Sequence, residues 1–129
     1  MKKVAILVVA AMMMASCSGG RQDDPKQVAI DYASVIFKSD YKTMKRLSTE
    51  KNIAHVTRIE NALKGHNKSK TKVLKVEATR VIDGSSDDNK YVYVTIELLD
   101  LLQQKEIWNY EMKIVKVDGK WYVDEYKNQ

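Results

Sequence analysis

The stretch that decides the fold is YVYVTIEL at residues 91–98, where every second side chain is aliphatic. The aliphatic side chains are Val92, Val94, Ile96 and Leu98. The side chains between them are Tyr91, Tyr93, Thr95 and Glu97. A period of two puts successive side chains on opposite faces of a strand. The pattern therefore predicts a β-strand with one buried face and one face towards water.

The same period recurs on both sides of this stretch. Upstream it runs through Leu74, Val76 and Ala78, and downstream through WNYEMKI at residues 108–114. Polar residues 83–89 separate the first two strands, and Asp118-Gly119 is the two-residue turn that type I′ hairpins prefer. A fourth strand follows over residues 121–126. We expect a four-stranded antiparallel sheet.

Three helices are predicted before the sheet. They begin behind Asp24-Pro25, Asp40 and Thr49, which are typical N-terminal caps. The apolar face of the first helix is Val28, Tyr32, Val35 and Ile36, and that of the second is Tyr41, Met44 and Leu47. The apolar face of the third helix is Ile53, Val56, Ile59 and Leu63, and Gly65 is predicted to end this helix. Only these helices can cover the apolar sheet face. The fold class is therefore α+β, with three N-terminal helices packed on a bent four-stranded antiparallel sheet.

Several of these residues also carry a family resemblance. Pro25, Val28, Ala29 and Tyr32 lead to KSDY at residues 38–41, and the chain closes with VDGKWYVD at residues 117–124. This resembles small bacterial lipoproteins of unknown function in the nuclear-transport-factor-two-like, or cystatin-like, superfamily. The resemblance implies a cone-shaped domain with an apolar pocket. It implies no catalytic residue, because the shared residues form turns and packing contacts.

The first seventeen residues are typical of an export signal. Lys2 and Lys3 precede an apolar run, VAILVVAAMMM at residues 4–14, which is too short to span a bilayer. Residues 14–17, Met-Ala-Ser-Cys, resemble a bacterial lipobox, which implies cleavage before Cys17 and lipid on its sulfur. The alternative is an ordinary signal peptide cut near Ser16, with Cys17 an incidental thiol.

This interpretation divides the chain into a signal peptide at 1–16, a lipidated tether at 17–24 and one domain at 25–129. It predicts attachment to the envelope of a Gram-negative bacterium. Ser18, rather than aspartate after the cysteine, favours the outer membrane by similarity to other lipoproteins. Removing residues 1–16 lowers the net charge of the 129-residue chain from +5 to +3. Together with export, this small charge argues against a nucleic-acid partner.

Five side chains are predicted to line a pocket in the cone. They are Tyr32, Ile36, Trp108, Tyr110 and Met112. Such a pocket would suit a small apolar ligand. The simpler alternative is that the same side chains fill the core. On the other sheet face, Tyr91 and Tyr93 suit a protein interface such as a homodimer, although single exposed aromatic residues are also common.

No catalytic or metal constellation is found, and no cofactor is expected. His55 and His66 are predicted to face solvent, and Asp31, Glu111 and Asp124 occupy polar positions. The lysines between residues 64 and 80 form either a second contact with anionic lipid or a solvated edge. The leading hypothesis is a lipid-anchored, non-catalytic binding module with an envelope partner. The alternatives are a small isomerase- or hydratase-like enzyme, and a structural subunit that dimerises through its sheet.

Overall fold

The computed structural model describes residues 22–64 and 71–129 of the chain. Its helices are α1 (Pro25–Ile36), α2 (Tyr41–Arg46) and α3 (Glu50–Ala62). Each begins where the sequence predicts, because a capping side chain accepts a hydrogen bond from the first turn: Asp24 from Lys26 N, Asp40 from Thr43 N and Thr49 from Asn52 N. Among these residues, no helix has the length and apolar content that a bilayer crossing requires.

Four strands follow as one antiparallel meander. They are β1 (Lys72–Asp83), β2 (Asn89–Leu99), β3 (Lys105–Val117) and β4 (Lys120–Asn128), in the order β1-β2-β3-β4. Asp118 and Gly119 join β3 to β4 with φ angles of +52° and +82°. Two consecutive left-handed residues are what a type I′ turn requires, so the predicted hairpin is confirmed.

The core lies between the three helices and one face of the sheet, which confirms the predicted fold class. The alternating aliphatic residues of β2 are all buried, together with Tyr110, Met112 and Ile114 of β3. From the helices, the buried hydrophobic side chains are Val28, Ala29, Tyr32, Ala33, Met44 and Val56. Val35, Ile36 and Tyr41 pack against this core while staying half-buried.

The prediction for the inner face of β1 is wrong at its first residue, Leu74. Leu74 is 43% exposed, and Val73 packs against the core in its place. The pairing with β2 shifts between Val73 and Lys75, so Leu74 is the extra residue of a bulge. A bulge reverses the alternation beyond it. Val76 and Ala78, which lie after the shift, pack inward as predicted.

The end of α3 and the start of the domain differ slightly from expectation. Leu63, predicted on the buried face of α3, is its C-cap residue and is 48% exposed. Gln22, within the range assigned to the tether, is buried: its backbone oxygen accepts from Trp121 N at 2.8 Å, and its side-chain amide donates to Trp121 O at 3.0 Å. Cys17, Ser18, Gly65 and His66 lie outside the described residues.

Candidate functional site

The N-terminal end of α3 is joined directly to β4. Thr49 N donates to Val123 O at 3.0 Å, and Val123 N donates to Leu47 O at 2.8 Å. Ser48 and Val123 therefore form a short parallel bridge. These bonds place the first turns of α3 beside the last strand of the sheet.

A buried chain of hydrogen bonds starts from this junction. Asn52 Nδ2 donates to Tyr32 OH at 3.0 Å and to Ser48 Oγ at 2.9 Å. Ser48 Oγ in turn donates to Met44 O at 2.6 Å. Ser48, Asn52 and Tyr32 are all buried, and each polar group has a partner, as buried polar groups require. This chain connects all three helices.

A bulge in β4 controls the position of Tyr126. Ile114 pairs with Val123, but Lys113 pairs with Glu125, so Asp124 is the extra residue. Tyr126 consequently pairs with Met112 and lies on the core side of the sheet. Asp124 has no partner residue on β3, and its carboxylate accepts a hydrogen bond from Thr49 Oγ1 at 3.0 Å.

Tyr126 connects the core to the surface through its ring contacts. Its centroid lies 5.1 Å from that of Tyr32, 5.8 Å from Tyr110 and 5.5 Å from His55. The perpendicular contact with His55 corrects the prediction that this histidine lies off the buried face and towards solvent. His55 is half-buried because the bulge brings Tyr126 under it.

The three tyrosines of this cluster are held in their neutral form. Burial raises the pKa of Tyr110 to about 12, and it also raises the pKa values of Tyr126 and Tyr32, most strongly for Tyr32. For Tyr126 the effect is partly offset by its hydrogen-bond interaction with Tyr32. At neutral pH these phenols are hydrogen-bonding groups and not phenolate bases.

An open pocket of about 170 Å³ lies where this cluster meets the surface. We call it the Tyr126 pocket; its lining residues are Lys51, Asn52, His55, Arg58, Asp124, Glu125 and Tyr126. Lys51, His55 and Arg58 recur at intervals of four and three along α3, which places them on one side of the helix.

The charged side chains of the Tyr126 pocket differ in whether they already have an ion-pair partner. Lys51 Nζ lies 2.6 Å from Glu125 Oε1 and 3.7 Å from Asp124 Oδ2. The Lys51 ammonium lowers the pKa of Glu125, and Glu125 raises the pKa of Lys51, so both stay charged at neutral pH. Arg58, by contrast, is exposed and has no hydrogen-bond or ion-pair partner among the described residues.

The side chains predicted to line an apolar pocket are placed in or against the core. Tyr32, Tyr110 and Met112 are buried, whereas Ile36 and Trp108 are half-buried and pack against them. The Trp108 ring stacks on Tyr110 at 6.3 Å. None of the five is a lining residue of the Tyr126 pocket. Asn52, Arg58 and Tyr126 were missed by sequence reasoning.

One signal for the Tyr126 pocket was present in the sequence. Asn52 lies four residues before Val56, on the stripe that faces the core, and a polar residue on such a stripe needs a buried partner. Tyr126 carried no comparable signal. Whether the Tyr126 side chain faces the core depends on the bulge at Asp124, and the alternation of apolar and polar residues in the sequence does not show that bulge.

The outer face of the sheet carries the predicted interface tyrosines. Tyr91 and Tyr93 are half-buried, and the Arg80 guanidinium lies 4.7 Å from the Tyr93 ring centroid. Tyr91 also lines an open groove of about 390 Å³, whose other lining residues are Glu111, Lys113, Glu125, Tyr126 and Lys127. Their role as an interface stays a prediction.

The remaining carboxylates that were considered for catalysis are paired. Asp31 accepts from Gln27 Nε2 at 2.9 Å, and Glu111 lies 3.6 Å from Lys127 Nζ. Within residues 22–64 and 71–129, no three His, Cys, Asp or Glu side chains are grouped so as to hold a metal ion.

Comparisons with known proteins show the fold. The structure is similar to a SEC-C motif containing protein from Rhodopseudomonas palustris (TM-score 0.64, 8% identity, 86% of this chain and 83% of that one). It is also similar to a cystatin-like protein of unknown function from Nostoc punctiforme (0.59, 10%, 79% and 84%) and an NTF-2-like protein of unknown function from Shewanella oneidensis (0.55, 10%, 79% and 93%).

No protein-family model and no curated protein sequence matches the chain. The structural similarities nevertheless show that the chain has the cystatin-like, nuclear-transport-factor-two-like fold that the sequence resemblance implied. At such low identity the likeness defines the fold and leaves the function open.

Proposed function

We propose that this chain is a lipid-anchored, non-catalytic binding module of the bacterial cell envelope, with the Tyr126 pocket as its ligand site. The lipid is on Cys17, and Ser18 directs the protein to the outer membrane. The observation that carries the binding role is the Tyr126 pocket itself. It joins an open surface site to a buried, fully hydrogen-bonded polar cluster in the core.

The state of that cluster supports binding over catalysis. Asn52 is committed to Tyr32 and Ser48, and the raised pKa values keep the tyrosines neutral. A general base must instead be able to exchange a proton near neutral pH. Isomerase- or hydratase-like turnover of an apolar compound that depended on Tyr126 would contradict the proposal.

The chemistry of the Tyr126 pocket defines a ligand class. The ring planes of His55 and Tyr126 stand at 74° to each other, which leaves an aromatic corner suited to a planar group. Arg58 is the cation of the pocket that is not already paired, and guanidinium binds carboxylates in a planar, two-pronged geometry. The proposed ligand is a small planar molecule bearing a carboxylate.

Benzoate is a minimal probe of this site. We expect its addition to shift backbone NMR resonances of His55, Arg58 and Tyr126 in a saturable manner, and Arg58→Gln to weaken the effect about tenfold or more. Lys64→Gln is the matched control, because Lys64 is an exposed cation just past the end of the same helix. Equal shifts in both variants, or shifts spread over the surface, would refute the assignment.

The anchor has a separate test. Cys17→Ser should abolish palmitate labelling in the native host, whereas Ser18→Ala should leave labelling intact. Labelling that survives loss of the thiol would refute lipidation. Ser18→Asp should move the labelled protein from the outer to the inner membrane fraction, and unchanged fractionation would argue against the proposed sorting.

The second candidate function is a structural subunit that dimerises through the outer sheet face. The observation that favours it is the Tyr91 groove, where lysines and glutamates alternate and can pair with a second copy. Light scattering of residues 21–129 at increasing concentration tests it. A dimer that is lost in Tyr91→Glu would support this candidate, and a monomer at high concentration would contradict it.

A further inference from the structure

The loop between β2 and β3 exposes two neighbouring leucines at its tip. Leu101 and Leu102 are 66% and 77% exposed. Connecting loops normally carry polar residues at such positions, because exposed leucine contributes nothing to folding. Ile107, also mainly exposed, extends the apolar surface along β3.

The loop holds its shape without help from the leucines. Asp100 Oδ1 accepts from Leu102 N at 2.8 Å and from Gln104 N at 2.9 Å. Asp100 N also donates to Gln104 O at 2.9 Å, and Gln103 adopts a left-handed φ of +63°. A pre-formed loop loses little conformational freedom when its tip becomes buried, so it is suited to docking.

We propose that the Leu101–Leu102 tip inserts into the interfacial region of the lipid bilayer to which the chain is anchored. This inference rests on the proposed membrane anchoring. The tip is small, whereas a stable protein interface buries about 800 Å² on each partner. Two leucines on a narrow loop match the shallow depth of an interfacial contact.

The length of the tether makes lipid the surface within reach. Gln22 is fixed to Trp121, and only five residue steps separate it from Cys17, which limits the span to about 18 Å. Gln22 lies at the β3–β4 turn, at the opposite end of the sheet from the tip. Since β3 has 13 residues, or roughly 40 Å, the tip reaches the bilayer only when the domain lies on its side, and the span of the tether lets the turn end stay above the headgroups.

The charges beside the tip fit the headgroup layer. Lys72 and Lys105 flank Leu99 in one cross-strand row at the base of the loop, and both are exposed. Their stems can lie along apolar surface while the ammonium groups stay in water. Asp100 accepts from backbone N–H groups and Glu97 lies 3.4 Å from Lys105, so carboxylates balance the two lysines and the test uses a lipid without net charge.

The test uses the full chain carrying Cys17→Ser and Leu102→Cys, which leaves one thiol for a polarity-sensitive fluorophore. This chain keeps the apolar residues 4–15, through which we expect it to bind phosphatidylcholine vesicles whether or not Cys17 is lipidated in the cell. We expect a blue-shifted emission that is quenched by a lipid-borne quencher. Adding Leu101→Ser should lower the inserted fraction about tenfold.

The matched control carries the label at Val117, which is 46% exposed at the other end of β3. Its emission should be that of a probe in water. A chain that binds vesicles with the tip label in water would overturn the insertion alone and leave the tip for a protein partner. A chain that does not bind vesicles would overturn the insertion, whereas the anchor itself is decided separately by palmitate labelling of Cys17.

Discussion

Replacing Asn52 with leucine tests whether the buried hydrogen bonds hold α1 and α3 together. Asn52 is almost wholly buried, and its amide supplies one hydrogen to Tyr32 OH at 3.0 Å and one to Ser48 Oγ at 2.9 Å. Leucine has a similar volume but no polar atoms. The change therefore removes two hydrogen bonds without opening a large cavity.

The expected cost follows from the partners that remain. Ser48 Oγ keeps its bond to Met44 O at 2.6 Å. Tyr32 OH loses its donor, and a buried polar group without a partner costs about 1–3 kcal/mol. Tyr32→Phe alone should cost about 1 kcal/mol, because Asn52 still reaches Ser48. The double variant replaces both partners with apolar groups, so its cost should fall short of the sum by about 1 kcal/mol or more.

Urea unfolding of residues 21–129 measures these costs. A domain of this size has a denaturant slope of about 1–2 kcal/mol per molar, so Asn52→Leu should lower the midpoint by about 1 M. Asn61→Leu is the matched control, because Asn61 is exposed on the same helix and should change stability by less than about 0.5 kcal/mol. Single costs that simply add, within about 0.5 kcal/mol, would refute the coupling.

Three further predictions concern the sheet and its core. Unfolded tyrosine ionises near pH 10, whereas burial raises the pKa of Tyr110 to about 12. The contribution of Tyr110 to stability should therefore be constant below pH 10 and be lost as the pH rises from 10 to 12. Thermal melts at pH 9 and 11 measure the loss, which Tyr110→Phe should reduce. Gly119→Ala should cost about 1 kcal/mol in urea unfolding, because its φ of +82° disfavours a side chain; an unchanged midpoint would contradict the turn geometry. Met112→Ala should cost about 2–5 kcal/mol, since Met112 is fully buried, and Leu74→Ala less than about 1 kcal/mol. Equal costs would contradict the bulge in β1.

The features that the sequence predicts well are local ones. Asp40 and Thr49 cap their helices through bonds that close within three residues, so the residue types alone indicate them. The alternation in residues 91–98 likewise reports burial directly, because β2 is an inner strand covered on one face by helices.

The bulges were not predictable, because each depends on a partner strand distant in the sequence. Leu74 fits the alternation of Val76 and Ala78, yet the pairing with β2 turns it outward. At Asp124 the extra residue is stabilised by Thr49 Oγ1, some 75 positions away. Periodicity within one segment cannot report such a contact.

The Tyr126 pocket also depends on contacts between residues that are distant in the sequence. The shift at Asp124 turns Tyr126 into the core, against Tyr32, and at the same point leaves the Asp124 carboxylate beside Lys51. One irregularity therefore supplies both the aromatic corner and part of the charged rim. Since bulges frequently occur beside binding sites, where they re-aim a side chain, the geometry of β4 is itself an argument for placing the ligand site here rather than among the core side chains.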